Sequence, residues 1–422
     1  MLTARTWNFD PDYLIMEYRF IKDRDIIMFS FQSWNTDIAF NFRDMAYELA
    51  RYNRILFVDR ATDRNTNVRN RFSRTQRGLN GNKGKYLEKI QDNFWLLRPK
   101  SVLESGGWSP TYKLFDFFNR INNKRLAAEI KEAIRSLGFS NGILLNDNDF
   151  YRGLYLKALL PVREYIFYIR DFLTTQPFFE KFGPRCEKEM IEKADLIIAN
   201  SRYLAVYASQ WNPNSADIGQ GCNLDEFTRE GLPVPADLEE IPGPVLGYCG
   251  AITNLRLDEE ILVHLALAFP AYSIVLVGPS DTGLDRGRLK DLKNVFFLGG
   301  KKPSEIASYV QHFAICLNPQ ALNPLTIGNY PRKIDEYLAA GKPVLATATE
   351  AMEMFREYTF LCSTKEEYAL NVRKIMEDPR WTSSAEMKRR RDFALTHTWE
   401  NCIGELGNAF YHLEKQNQKA DI

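Results

Sequence analysis

The sequence predicts an α/β protein with two Rossmann-like domains that face each other across a cleft. The chain has 422 residues, more than one hydrophobic core usually organises. Short apolar runs recur, each followed by a longer helical pattern, as in a parallel sheet covered by helices. One stretch rich in proline and acidic residues, 231–244 (GLPVPADLEEIPGP), interrupts the alternation and has the composition of an interdomain connector.

The first predicted domain covers residues 1–235. Its strands are apolar runs that end in polar residues, which is typical of buried strands in a parallel sheet. They are predicted at 25–30 (DIIMFS), 54–59 (RILFVD), 141–146 (NGILLN), 165–169 and 196–200 (LIIAN). This pattern indicates a doubly wound domain.

The second predicted domain covers residues 236–390, where the same alternation restarts. Residues 391–422 are predicted to form a C-terminal helix and tail, which either cap the second domain or cross back to the first. The strands of the second domain are predicted at 245–249, 273–277 (SIVLV), 295–298, 314–317 and 343–346.

The overall composition is that of an ordinary globular enzyme. Hydrophobic residues make up 45% and charged residues 26%, and the net charge is +1. Such a balance provides no global attraction to nucleic acid, so we predict no nucleic-acid partner. The six cysteines lie far apart without a CxxC pair, which favours a reducing compartment over a metal site.

The N-terminus mixes charged and aromatic residues and lacks the apolar core of a signal peptide. No stretch approaches the roughly 18–20 apolar residues of a membrane span. We therefore predict a cytoplasmic protein.

A basic run between residues 60 and 85 lies in a predicted loop after the second strand. It is either a solvated loop or a contact for an anionic acceptor or an acidic lipid surface. Together with Trp7, Phe9 and Tyr13 it raises the hypothesis of peripheral contact with an anionic membrane, at the inner face of the cell membrane.

Segment 323–347 (NPLTIGNYPRKIDEYLAAGKPVLAT) predicts a loop, a short helix, a glycine stop and a buried strand. Pro331 near the first turn leaves backbone N–H groups free, and Arg332 and Lys333 add positive charge for a diphosphate. Glu336 lies one turn further, where its oxygens suit the hydroxyls of a ribose. In the alternative interpretation this is a simple amphipathic helix with solvated charges.

The pattern P-x-K-x-x-E-Y-x-A-x-G-x-P-V in this segment resembles retaining GT-B glycosyltransferases of the GT4-like group. Teichuronic-acid, capsule and exopolysaccharide members are the most similar. Further resemblance is carried by 194–203 (ADLIIANSRY), 220–227 (QGCNLDEF), 247–252 (GYCGAI), 276–279 (LVGP) and 294–299 (NVFFLG). It spans most of the chain and is strongest in the C-terminal half, which the resemblance makes the donor domain, with the first domain on the acceptor side.

The resemblance implies a site for a nucleotide-diphosphate sugar, with UDP- or GDP-sugar as co-substrate and no other cofactor. It places Glu336 on the donor ribose and Lys333 on the phosphates, with Arg332 beside them. Gly250 stands where the backbone must approach the phosphates closely, and Gly278 is a further donor-binding residue. Arg256 corresponds to a phosphate-binding arginine of the family.

Two positions depart from the family pattern. The first glutamate of the family, eight positions before the ribose-binding one, is replaced by Gly328. The usual phosphate-binding lysine is missing, because no lysine occurs between Arg256 and Lys290. A non-catalytic nucleotide-sugar-binding protein is therefore one alternative hypothesis, and a nucleotide-sugar epimerase of the same fold is another.

Acceptor-side candidates are polar residues that follow predicted strands, because ligands bind at the carboxyl ends of parallel strands. Trp34, Asn35 and Asp37 follow the first strand, and Asp149 follows 141–146. Trp34 offers an aromatic plane for a sugar ring, although interdomain packing explains it equally well.

The reaction is predicted to proceed with retention, as the resemblance implies, with catalytic roles for Asp171, Lys333 and Glu336. The leaving diphosphate then accepts the acceptor proton. All four histidines follow the connector, so an inverting reaction would need a carboxylate base such as Asp171, Asp149 or Asp37.

No metal requirement is predicted. Asp147-Asn148-Asp149 has the Asp-x-Asp pattern of metal-dependent glycosyltransferases of another fold. The same pattern occurs at Asp23-Arg24-Asp25, directly before a strand, where it cannot bind a donor. The Asp-x-Asp pattern is therefore weak evidence for a metal site in this chain.

Overall fold

The computed structural model describes residues 18–35, 41–64, 85–280, 283–284 and 287–420. The chain forms two compact units. The first comprises residues up to Gly219 together with the segment from Trp399 onwards, and the second comprises Gln220–Thr398. Trp7, Phe9, Tyr13, Asp37 and residues 65–84 of the predicted basic run lie outside the described residues.

The first unit is built on an eight-stranded sheet with the order β3-β4-β2-β1-β5-β6-β7-β8, parallel except for the edge strand β3. The strands are β1 Asp25–Ser30, β2 Arg54–Val58, β3 Leu87–Gln91, β4 Phe94–Leu97, β5 Gly142–Asp147, β6 Val162–Ile169, β7 Leu196–Ala199 and β8 Ser215–Asp217.

Helices cover both faces of this sheet. They are α1 Asn41–Leu49, α2 Tyr112–Leu137, α3 Leu156–Leu159, α4 Gly183–Lys193, α5 Arg202–Ser209 and α13 Trp399–Ala420, with a 3₁₀ turn at Leu173–Thr175. Because successive side chains of a strand point to opposite faces, Ile27 packs with the helices α2, α4 and α5, whereas Ile26 packs with α1 and α13.

The second unit contains a parallel six-stranded sheet with the order β11-β10-β9-β12-β13-β14. The strands are β9 Val245–Cys249, β10 Ser273–Val277, β11 Val295–Gly299, β12 Ile315–Asn318, β13 Val344–Thr347 and β14 Phe360–Cys362. The helices are α6 Asp225–Thr228, α7 Ala236–Glu239, α8 Glu259–Ala268, α9 Pro303–His312, α10 Lys333–Ala339, α11 Lys365–Glu377 and α12 Ser384–Ala394, with 3₁₀ turns at Arg288–Asp291, Glu350–Phe355 and Pro379–Thr382.

Two cores lie on the two faces of this second sheet. One contains the apolar side of α9 and α10, including Ile334 and Leu338. The other contains α8 and α11, including Leu262 and Val372. The predicted α/β architecture with two Rossmann-like units is confirmed.

The division between the units differs from the predicted boundary at 235/236. It falls at Gly219–Gln220, so the proline-rich stretch belongs to the second unit. The physical reason is burial, since Leu224, Phe227 and Leu238 are part of the second hydrophobic core.

The C-terminal helix α13 belongs to the first unit. It contributes Trp399, Ile403, Leu406, Phe410 and Leu413 to the core that contains α1. Of the two predicted positions for this helix, the crossing back to the first domain is therefore the one observed. None of the described helices combines the length and apolar character that a membrane span needs.

Candidate functional site

Two glycine turns follow neighbouring strands at the carboxyl edge of the second sheet. Gly250 has a φ of +145° and follows β9, and Gly278 has a φ of +151° and follows β10. Both values lie in a region that side chains rarely adopt. A Cβ on Gly278 would lie only 1.8 Å from the carbonyl oxygen of Gly250. The two turns therefore pack backbone against backbone.

The amine of Lys333 lies directly beside the first of these turns. Its Nζ donates a hydrogen bond of 2.6 Å to the hydroxyl of Tyr248 and lies 3.9 Å from the centroid of that ring. A Cβ on Gly250 would approach the same Nζ to 2.5 Å. Gly250 thus leaves room for the amine, which the structure brings to the end of β9.

Burial, and after it the positive charge of Arg256, lower the pKa of Lys333 to about 7. Arg256 is partly buried in the loop after β9, where its carbonyl accepts a hydrogen bond of 3.0 Å from the Ala321 N–H. The guanidinium of Arg256 is therefore close enough to act electrostatically on the Lys333 amine. An anion placed between them would relieve their repulsion, since an opposite charge favours the charged form of an amine.

Glu336 lies one turn after Lys333 on α10, and its side chain is 14% exposed. It accepts a hydrogen bond of 3.0 Å from Nε of Arg332. This ion pair leaves one carboxylate oxygen for a further donor, because a carboxylate accepts several hydrogen bonds. Arg332 was predicted to lie beside the phosphates, and the structure shows it in an ion pair with Glu336.

The short helix α10 is fixed to the sheet by its aromatic side chain. The hydroxyl of Tyr337 accepts a hydrogen bond of 2.8 Å from the backbone N–H of Cys249. It also lies 3.4 Å from the carbonyl oxygen of the same residue. The seven-residue helix is thereby held at the carboxyl end of β9, with Lys333 and Glu336 on it.

A buried polar cluster that the sequence reasoning missed holds the first turn of α10. Asp335 is fully buried and accepts a hydrogen bond of 2.8 Å from the Tyr330 hydroxyl. Its second oxygen lies 2.7 Å from Nδ1 of His397, and the thiol of Cys222 lies 3.4 Å from the first. Cys222 and His397 are joined by a backbone hydrogen bond of 3.0 Å. Three distant segments therefore meet at Asp335.

Replacement of Asp335 by alanine is expected to lower the free energy of unfolding by about 1–3 kcal/mol, the cost of leaving buried partners without an acceptor. Asp335→Asn, which keeps one acceptor, should lose less. Urea denaturation of both variants measures the effect. Asp392→Ala removes an exposed carboxylate paired with Lys388 and serves as the control, with an expected change below about 0.5 kcal/mol. Equal losses in all three variants would contradict this account of Asp335.

In the first unit, polar residues gather at the carboxyl edge of the sheet. Asp147 at the end of β5 is fully buried, and both of its oxygens accept hydrogen bonds from Arg170, at 2.6 and 2.7 Å. Ser30 at the end of β1 donates a further bond of 2.6 Å. Both carboxylate oxygens of Asp147 thus form hydrogen bonds within the protein. Asp171 follows Arg170, and its carbonyl accepts a bond of 3.2 Å from Asn148 Nδ2.

Asp149 is buried and stabilises a turn. One of its oxygens accepts a hydrogen bond of 3.0 Å from the Arg152 N–H, and the other lies 3.0 Å from the guanidinium of the same residue. These contacts are those of an aspartate that stabilises a turn. An acceptor contact by Asp149 stays a prediction.

Trp34 contacts the protein core. Its indole is 8% exposed and lies edge to face against Phe57 and Phe94, at centroid distances of 5.0 and 5.6 Å. Packing within the first unit, rather than stacking on a sugar or packing between domains, is the contact that the structure shows. Asn35 is exposed, whereas Asp37 lies outside the described residues.

Comparison with known proteins gives one curated relative. This relative is TuaH of Bacillus subtilis (strain 168), which is named provisionally as a glycosyltransferase of teichuronic acid biosynthesis. It is 28% identical to this chain over 238 residues. The matched region is 54% of this chain and 59% of TuaH. No family model matches the chain.

Solved structures resemble the chain over nearly its whole length. Sucrose-phosphate synthase from Thermosynechococcus elongatus has a TM-score of 0.64 at 17% identity, covering 93% of this chain and 100% of that one. Anabaena HepE, solved in complex with UDP-glucose, has a TM-score of 0.62 at 16% identity, covering 92% and 99%. The two-unit fold of this chain is therefore the GT-B fold, as predicted.

Proposed function

We propose that the protein is a glycosyltransferase that moves a sugar from a nucleotide-diphosphate sugar to a saccharide or lipid-linked acceptor. The product would belong to a surface polysaccharide or a glycolipid. The observation that carries this proposal is the cationic group of Lys333 and Arg256 beside two tightly packed glycine turns, with Glu336 one helical turn away. This arrangement suits a diphosphate flanked by a ribose.

The donor class to test first is a UDP-sugar. Anabaena HepE was solved with UDP-glucose, and the fold is the same. In this chain, the Lys333 amine and the Arg256 guanidinium would bind the diphosphate beside the Gly250 turn. Glu336 would accept hydrogen bonds from the ribose hydroxyls, and Arg332 keeps its carboxylate in position.

Transfer would proceed with retention. The bond between the anomeric carbon and the diphosphate oxygen breaks, and a bond to the acceptor oxygen forms on the same face of the sugar. The proton of the acceptor hydroxyl passes to the departing diphosphate. Lys333 stabilises the negative charge that develops there, which is worth most in a partly buried site. The anomeric configuration of the first product, read by NMR, tests this step.

Asp171 is the acceptor-side carboxylate in this scheme. It follows β6 at the carboxyl edge of the first sheet, near Asn148. In a retaining reaction it would orient the acceptor hydroxyl, and in an inverting one it would remove its proton. Asn35 and Asp149 are proposed as further acceptor contacts, with the turn contacts of Asp149 retained.

The reaction would need no metal ion, because the cations of Lys333 and Arg256 supply the positive charge at the diphosphate. Full activity in the presence of EDTA is the expected result. Loss of activity with the chelator and its recovery with manganese would overturn this part of the proposal. The site of action would be the cytoplasm, at the inner face of the cell membrane when the acceptor is lipid-linked.

Donor binding is expected to depend on pH through Lys333. Its amine has a pKa of about 7 in the free protein, and a bound diphosphate raises that value. Below pH 7 the amine is already protonated and affinity stays constant. As the pH rises above 7, binding must take up a proton, so affinity falls by up to about tenfold per pH unit.

Calorimetry with a UDP-sugar from pH 6 to 9 measures this dependence, and buffers of different ionisation enthalpy report the proton uptake. The groups that face the amine are Tyr248, Cys249, Arg256 and Glu336. Burial raises the pKa of both the Tyr248 hydroxyl and the Cys249 thiol. Lys333→Arg, which keeps its charge throughout this range, should bind more weakly with no pH dependence. If the donor affinity of Lys333→Arg still falls as the pH rises, the titrating group is a residue other than Lys333.

The function itself is tested by binding and turnover together. UDP, GDP and their sugars are titrated into the wild type, Glu336→Ala and Glu336→Gln, with the exposed Glu353→Ala as a matched control. One nucleotide class should bind, and Glu336→Ala should weaken it by about 1–3 kcal/mol. Conversion of the donor sugar without acceptor would instead indicate an epimerase. Binding without transfer to any saccharide or lipid-linked acceptor would indicate a non-catalytic binding protein.

A further inference from the structure

Four large aromatic side chains of the first unit are exposed on two neighbouring segments. Trp108 lies in the turn before α2, Tyr112 is the first residue of α2, Phe117 lies on its second turn, and Phe178 lies in the segment between β6 and α4. Their exposed fractions range from 50% to 63%. Contiguous apolar exposure of this kind marks a contact with another protein or with a membrane.

Direct contacts join the two segments into one surface, called here the aromatic surface. Lys181 Nζ donates a hydrogen bond of 2.7 Å to the Ser109 carbonyl, and the Tyr112 hydroxyl donates one of 3.2 Å to the Lys181 carbonyl. Beneath them, Phe115 and Phe182 stack with centroids 4.3 Å apart. The exposed rings are therefore held on a packed base.

The outward side of α2 carries both apolar and basic residues. Its inward face is buried through Phe115, Asn119 and Asn123, so the residues half a turn away point outward, and these are the exposed Lys113, Phe117 and Lys124. The partly buried Leu114, Phe118 and Ile121 lie beside Phe117, and the exposed Arg120 lies on the other side with its guanidinium over the Tyr155 ring.

The acidic side chains near α2 neutralise little of its positive charge. Asp116 is paired with Arg185, and Glu180 is an exposed acid beside Phe178. Within the described part of the chain, no ion pair within 4 Å neutralises Lys113 or Lys124. An exposed aromatic and aliphatic strip beside unpaired cations is the pattern of a helix that lies in the interface of an anionic bilayer.

The aromatic surface adjoins the edge of the sheet where the acceptor is expected. α2 follows β4, and the segment that carries Phe178 follows β6, so both are at the carboxyl edge. The ring of Tyr151, two residues after Asp149, contacts Phe115 at 5.0 Å and Phe178 at 6.3 Å between centroids. A bilayer at this surface would therefore lie next to the acceptor residues.

We propose that the aromatic surface docks on an anionic lipid bilayer and thereby brings the carboxyl edge of the first sheet to a membrane-anchored acceptor. The choice of acceptor rests on the proposed glycosyl transfer, whereas lipid binding does not. The basic flank favours a bilayer over a second copy of the chain, because a twofold contact would bring like charges together. Docking inserts the four rings and places the lysines at the headgroups.

The test is sedimentation of the full chain with vesicles of phosphatidylcholine alone and of phosphatidylcholine mixed with phosphatidylglycerol, without donor or acceptor. The wild type should bind only the anionic vesicles at low salt, and raising the salt should weaken binding. Trp108→Ser combined with Phe117→Ser and Phe178→Ser should lower the partition coefficient at least tenfold. Each of Lys113→Gln and Lys124→Gln should lower it about fivefold.

Leu267→Ser combined with Leu370→Ser removes two equally exposed apolar side chains of the second unit and should leave vesicle binding unchanged. Circular dichroism and UDP-sugar binding, which depends on the second unit, verify that each variant is folded. Binding of the aromatic variant at wild-type strength would overturn the proposal. A wild type that forms dimers in solution, with the aromatic variant monomeric and no binding to vesicles, would overturn it in favour of self-association.

Discussion

Lys333→Ala is expected to abolish most of the transfer activity, with kcat/KM reduced by about 10²–10³, the usual loss when one stabilising charge is removed from a reacting oxyanion. The amine lies at the end of β9, hydrogen-bonded to Tyr248 and close to Gly250, where the proposed diphosphate departs. Donor affinity should fall as well, by about 1–3 kcal/mol. Steady-state kinetics and calorimetry measure the two effects separately.

The matched control is Lys342→Ala. Lys342 follows the other end of α10, and burial lowers its pKa as it does for Lys333. Removal of this second partly buried amine should leave donor affinity and kcat/KM near the wild-type values. If both variants lose activity to the same extent, the effect on Lys333 is structural, and its role at the diphosphate is refuted.

Gly278→Ala is expected to cause a large loss of stability in the second unit, more than about 3 kcal/mol. The φ of +151° strains any residue with a side chain, at a cost of about 1–3 kcal/mol, and the added Cβ would overlap the Gly250 carbonyl at 1.8 Å. The backbone oxygen cannot move without displacing the Gly250 turn. Donor binding should therefore be lost together with stability, as measured by thermal unfolding and calorimetry.

Gly300→Ala provides the comparison. Gly300 lies close to the same turn, but a Cβ there would meet only the Pro279 nitrogen at 3.8 Å, an ordinary van der Waals distance. Its substitution should change stability by less than about 1 kcal/mol and leave the donor affinity intact. A stable, donor-binding Gly278→Ala protein would show that the two turns are not locked against each other.

The sheet strands could be predicted from the sequence because each is a continuous apolar run. β1, β9 and β10 have the predicted bounds, and the others differ by a few residues at their ends. Four of the described strands were missed. β3 (LEKIQ) is an edge strand with three partly buried and two exposed side chains, and β8 and β14 have only three residues each. β4 (FWLL) is apolar, but with four residues it is too short to stand out from the sequence around it.

The candidate site was predicted in part. The positions of Lys333, Glu336, Gly250 and Gly278 follow strand ends and a local motif, both of which are visible in the sequence. The partners of Asp335 were not predicted, because Cys222 and His397 lie 113 and 62 residues away along the chain. Only the folded structure brings such distant polar groups together. Burial of Trp34 was equally hidden, since its partners Phe57 and Phe94 belong to other strands.

The return of α13 to the first unit has a consequence for the order in which the protein folds. The first unit is discontinuous, whereas Gln220–Thr398 forms one uninterrupted stretch. During synthesis, the face of the first sheet that later packs with Ile403, Leu406 and Phe410 stays uncovered until the last helix leaves the ribosome. Domains fold as units during synthesis, so the second unit can complete its core before the first unit, although it is made second.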